Sequence, residues 1–138
     1  MGIAHIELRL ANDGRSDLEE INKIALVDTG ALHLCIPEHV ALQLQLKDTG
    51  FRDVRLADGQ EKRVRYVSPI RIELFGRQCV TGALVLGDEV LLGAIPMEDM
   101  DLVIEPAHRQ VSVNPNSPNM PTSLAKASQP RSSSRATL

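Results

Sequence analysis

From Phe51 to Asn114, short apolar runs and turn residues follow one another at close spacing, and this constrains the fold more than any other feature of the chain. Residues 51–56 and 61–67 flank Ala57-Asp58-Gly59-Gln60, whose Asp-Gly pair is a strong hairpin signal. Ile70, Ile72 and Leu74 then alternate with Arg71, Glu73 and Phe75, and Gly76-Arg77 turns the chain into a strand over residues 78–86. Gly87-Asp88-Glu89 turns it again toward residues 90–92, and residues 101–105 and 110–114 pair around Pro106-Ala107-His108-Arg109. Such spacing predicts an all-β fold, closed or sandwich-like, with one or two short helices.

The first part of the chain is less uniform. Polar His5, Glu7 and Arg9 alternate with Ile6, Leu8 and Leu10, as a half-buried strand requires, and Asn12-Asp13-Gly14 marks a turn. Ser16 with Glu19 could cap a helix carrying Leu18, Ile21 and Ala25 at helical spacing. The β-like run at residues 24–27, ending at Gly30, instead favours a strand over residues 20–27. Pro37 suits a first helical position and predicts a short helix over residues 37–44. With 138 residues there is material for one domain and one core, and 2% aromatic content without Trp means a core of Val, Leu, Ile and Ala.

Chemistry concentrates at Ile24-Ala25-Leu26-Val27-Asp28-Thr29-Gly30-Ala31. Four apolar residues deliver one acid to the rim of the core, where desolvation disfavours a charge that nothing compensates. Perturbed acids of this kind mark functional sites. The rival reading is an ordinary Asx turn, which Asp-x-Gly sequences also form. The stretch resembles the signature of the retropepsin-like aspartic proteases, two apolar residues followed by Asp-Thr/Ser-Gly and a small residue. Val90-Leu91-Leu92-Gly93, leading into a short helix at residues 94–100, resembles that family's second signature. Arg55-Leu56-Ala57-Asp58-Gly59-Gln60 resembles the flap hairpin of its small bacterial members, and the likeness covers roughly residues 3–114.

The resemblance implies a single-lobe acid-protease fold with Asp28, Thr29 and Gly30 at the catalytic centre, and Ala31, Ala57, Asp58, Gly59 and Gln60 against the substrate. Because the chain carries one usable motif, the second carboxylate has to come from another copy. The implied enzyme is a homodimeric endopeptidase in which two Asp28 carboxylates share one proton and activate a water to cut a polypeptide. Thr29 would bond across to the partner's equivalent loop. Ala31 has no donor for the carboxylates, which suits work in mildly acidic to near-neutral solution. Cofactor and metal are not implied. The alternative is a retropepsin-like domain that binds peptides or dimerises without cleaving, since the flap continues into charged Glu61-Lys62-Arg63.

Lys47-Asp48-Thr49-Gly50 repeats the motif 20 positions on. That interval is too short to hold a second lobe. Asp48 also follows Lys47 and a Gln-Leu alternation instead of an apolar run, so it reads as a solvated turn acid. Other function classes find little support. A net charge of -3 argues against a general nucleic-acid binder, and seven basic residues from Arg52 to Arg77 against four acidic ones read as a solvated strand face. No apolar run is long enough to span a bilayer, and the first residues lack a signal-peptide layout, so a cytoplasmic protein is expected. Cys35 and Cys79 stand apart, as buried thiols in a reducing compartment do, and His33 with Cys35 lacks the further ligands a metal needs. From Pro115 to Leu138, four Pro and six Ser with few large apolar residues predict a disordered tail after a protease domain at residues 1–114.

Overall fold

The structure is a computed structural model and describes residues 4–126. In chain order it contains β1 (Ala4–Asn12), β2 (Ile21–Val27), β3 (Leu34–Ile36), α1 (Glu38–Gln43), β4 (Lys47–Arg55), β5 (Glu61–Leu74), β6 (Arg77–Val85), β7 (Val90–Leu92), α2 (Ala94–Asp99), β8 (Leu102–Glu105) and β9 (Gln110–Val113). The fold is all-β with two short helices, as the turn spacing predicts. Of the two expected architectures it is the closed one. Strands β1-β2-β7-β3-β6-β5 form a ring that returns to β1 through antiparallel pairing of Arg9 with Glu73 and of Asn12 with Ile70.

Closure depends on β5, whose 14 residues serve two neighbours in turn. Its first half pairs with β4, from Arg55↔Glu61 to Lys47↔Ser68, and its second half pairs with β1. A register shift against β6 between Val67 and Ile70 marks the bend between the halves. The ring therefore has no free edge, whereas β4 stays outside as an edge strand whose exposed face is heavily charged. The interior is filled by Leu10, Val27, Leu34, Ile36, Val67, Ile70, Ile72 and Leu92, none more than 1% exposed. Each such side chain contributes roughly 1.5–3 kcal/mol. No aromatic ring is among them, in keeping with the composition.

Three local readings are changed by tertiary contacts. The helix that Ser16 and Glu19 could have capped does not form, because Ile21 pairs with Leu10 and β2 pairs with β1 along its whole length. Asp48 is not in a turn: it lies in β4 beside a bulge at Asp48/Gly50, exposed, with its carboxylate 3.0 Å from Arg65. The basic residues do not form one solvated face either. Arg77 is 5% exposed, and its guanidinium donates to the carbonyls of Met100 at 3.1 Å, Asp101 at 2.9 Å and Ser117. The first two acceptors follow α2 directly, where helix carbonyls lack intrahelical partners.

Asn12 shows the same principle. It ends β1 buried, donates from Nδ2 to the carbonyls of Leu44 at 2.8 Å and Gln45 at 3.3 Å, and accepts the Gly14 N–H at 2.8 Å. Both thiols are buried, and the Cys79 thiol is pushed up to about 12 by burial and the neighbouring Asp99. The first part of the expected tail touches the body through Ser117 on Arg77 and through the Thr122 N–H, which donates to Asp101 Oδ2 at 2.9 Å. The rest of that tail, residues 127–138, lies outside the described residues.

Candidate active site

Strands β2 and β7 run parallel, with Val27 beside Leu92, so the chain leaves both strands at the same end of the barrel. Asp28 is the next residue on β2 and Gly93 the next on β7. The Asp28 N–H donates to the Leu92 carbonyl at 3.1 Å. The loop then closes on itself: the Gly30 N–H donates to Asp28 Oδ1 at 2.9 Å and the Ala31 N–H to the Asp28 carbonyl at 3.1 Å. An Asx turn of this kind orients the carboxylate from the main chain, and a backbone donor favours its charged form.

The loop also caps α2. No side chain caps that helix, and the N–H groups of Ala94 and Ile95 donate instead to the carbonyls of Ala31 and Leu32, each at 2.9 Å. Two of the unpartnered donors at a helix start are thereby satisfied by the acid-bearing loop. Gly93 makes the approach possible. A Cβ at that position would stand 2.5 Å from the His33 carbonyl oxygen and 2.7 Å from the Leu32 carbonyl carbon. The two signatures that lie far apart in sequence are thus one interlocked unit.

A cleft of about 380 Å³ opens beside this loop. Gly30, Ala31, Leu32 and His33 form one wall, and residues 52–56, from β4 and the start of its hairpin turn, form the opposite wall. Cys35, Leu84 and Leu86 make an apolar floor. Of the residues expected against substrate, Ala31 lines this cleft, as does Gly30 from the expected catalytic centre, while Asp28 and Thr29 precede them on the same loop. Ala57, Asp58, Gly59 and Gln60 sit exposed at the hairpin tip and do not line it. There Asp58 Oδ1 accepts the Gln60 N–H at 3.0 Å, and Gly59 takes φ +88°, so both residues build the turn. Thr29 borders a separate hollow with Ala94, Met97, Ile104 and Pro106.

Sequence reasoning missed the polar side of the cleft. Arg52 lies opposite Val64 on the inner face of the β4–β5 hairpin, one pleat from Tyr66. Its guanidinium carbon sits 4.4 Å from the Tyr66 ring centroid, and Nη1 is 3.5 Å from His33 Nε2. The His33 ring meets Tyr66 edge-on at 6.2 Å. Burial, and then the adjacent Arg52 charge, push the His33 imidazole below its ordinary value, which keeps it neutral near pH 7. Burial pushes the Cys35 thiol up. Tyr66 in turn needs Gly82 beneath it, where a Cβ would fall 2.2 Å from the ring. Alternation along 78–86 places Leu84 and Leu86 on one face, but only the strand register distinguishes Arg52 from Arg55.

Among the described residues, no three His, Cys, Asp or Glu side chains come together to hold a metal ion. No helix among them is long and apolar enough to cross a membrane. No model of a known protein family matches the chain, and no curated protein matches it in sequence.

Proposed function

We propose that this chain is one half of an aspartic endopeptidase of retropepsin-like type, completed by a second copy. The observation that carries the reading is the main-chain setting of Asp28. Bonds from Asp28 to Leu92 and from Gly30 to Asp28 hold a carboxylate at the end of a barrel strand, beside a cleft with an apolar floor. The same bonds bring together two of the three stretches that carry the resemblance, those around Asp28 and Gly93. In the proposed reaction one Asp28 is ionised and takes a proton from water, while its counterpart from the partner copy is protonated and donates to the scissile carbonyl oxygen. The pair titrates as a unit. The two separated, buried thiols suit a reducing compartment such as the cytosol.

A second reading is favoured by the hairpin tip. Residues 57–60 stand exposed and apart from the cleft, which fits a domain that binds peptides without closing over them to cut. Incubation with unfolded casein, with and without a pepstatin-like inhibitor, separates the two. The protease reading expects inhibitable cleavage that Asp28→Asn abolishes, and a rate per subunit that falls on dilution as dimers dissociate. Casein left intact by a folded dimer would leave peptide binding as the function.

A further inference from the structure

Charge balance around the cleft singles out one residue. Three fully charged side chains belong to its lining residues, Arg52, Asp53 and Arg55. Asp53 lies directly opposite Arg63 on β5, and its carboxylate is bonded there at 2.9 Å. Arg55 lies opposite Glu61 and is bonded to it at 2.8 Å. Both pairs belong to the outer face of the hairpin, because strand side chains alternate and Arg52, one residue from Asp53, points inward. Arg52 has no carboxylate partner among the described residues. Its neighbours are the Tyr66 ring and neutral His33, a π face and a polar ring nitrogen, which position a guanidinium without neutralising it.

We propose that Arg52 is the specificity-determining residue of this cleft and that it selects a peptide with an acidic side chain. The inference rests on the reading of the cleft as the peptide site. Leu84, Leu86 and Cys35 provide apolar surface for the side chain's methylenes or for a neighbouring residue, and the guanidinium offers a fork matched to a carboxylate. Its seat over the Tyr66 ring holds the guanidinium in place before the ligand arrives, so less side-chain freedom is lost on binding. An amide of the same shape as the carboxylate would gain the contact without the charge, and a lysine would meet a like charge.

The chain itself supplies the probe for the test, because Tyr66 is its single tyrosine and it has no tryptophan. Tyrosine emission therefore reports on the ring against which Arg52 rests. Three hexapeptides, blocked at both ends, free of Tyr and Trp and differing only in Glu, Gln or Lys at one central position, are titrated into the Asp28→Asn protein. That substitution prevents turnover during the measurement. The Glu peptide should bind about tenfold more tightly than the Gln peptide, and the Lys peptide more weakly still. The Glu advantage should disappear in Asp28→Asn/Arg52→Gln, survive in part in Asp28→Asn/Arg52→Lys, and turn into a Lys preference in Asp28→Asn/Arg52→Glu. The side chain at position 52 is exposed, and thermal melts of each variant check that it folds.

Equal affinity for Glu and Gln peptides, absence of binding by all three, or a Glu preference that persists in the Arg52→Gln variant would each overturn the proposal. Cleavage of the same peptides by the protein with Asp28 intact is a separate readout. Discrimination with neither these peptides nor casein cleaved would refute the protease reading and leave this inference standing. Cleavage without discrimination would do the reverse.

Discussion

Leu92 accepts the backbone N–H of Asp28 at 3.1 Å, so the acid is positioned by main chain and the next residue on each strand inherits that placement. On β7 that residue is Gly93, whose hydrogen stands where any Cβ would strike the Leu32 and His33 backbone. Backbone cannot step aside as a flexible side chain can. Gly93→Ala should therefore cost at least about 1–3 kcal/mol in chemical denaturation, the range for overpacking, and weaken the capping of α2 by Ala31 and Leu32. Unchanged stability would show that the loop has slack.

The two Asp-Thr-Gly copies differ in what holds them. Asp48 pairs with Arg65 in the open, and Arg65 has Glu38 as a second partner. Asp48→Ala should lower stability by no more than about 1 kcal/mol and leave casein cleavage nearly unchanged. Asp28→Ala should abolish cleavage with the fold preserved. Comparison of initial rates and melting curves for the two variants checks both statements, and a large loss of activity in a folded Asp48→Ala protein would reverse the assignment.

Composition alone predicts that everything after Asn114 is dispensable. The structure assigns part of that segment a role, because the Ser117 carbonyl takes one of the donors of buried Arg77 and Thr122 donates to Asp101. A chain ending at Asn114 should lose about 1–3 kcal/mol, as expected when a buried charged donor is left short of an acceptor. A chain ending at Lys126 keeps both contacts and should melt close to the full-length protein. Differential scanning calorimetry of the three chains distinguishes these outcomes.

Asp101 provides a pH test of the same junction. The Asn114 side chain first, then the Thr122 backbone and the Ser117 side chain, hold its carboxyl below the ordinary value. A depressed carboxyl contributes stability that is present above its unfolded value, near about pH 4, and is lost as pH falls through the folded value. Asp101→Asn should therefore melt below the wild type at pH 7, and the gap should narrow as pH drops below about 4. Asn tolerates the positive φ of 54° at this position, so the backbone is not the cause of the change. A gap that stays constant from pH 7 to pH 3 would show that the anion is not what these donors hold.

The helix beginning at Ala94 is implied only by the family resemblance; local pattern determined the strands, the Asp-Gly hairpin, the short helix beginning near Pro37, and the singular position of Asp28. Each of these depends on residues within a few places of one another: alternation sets a buried face, and Gly or Pro sets a turn. Ring closure was decided elsewhere. It requires β5 to pair with β4 along one half and with β1 along the other, and nothing near Ser68 or Pro69 states which partner takes which half. The same holds for side chains whose role depends on what lies across from them. Arg52, Arg55, Arg63 and Arg77 are alike in sequence. Strand register gives Arg55 and Arg63 their acids and turns Arg52 onto Tyr66, while barrel closure brings the carbonyls after α2 over Arg77. A charge is neutralised, stacked or buried by neighbours in space, and those neighbours are assigned only when the strands have paired.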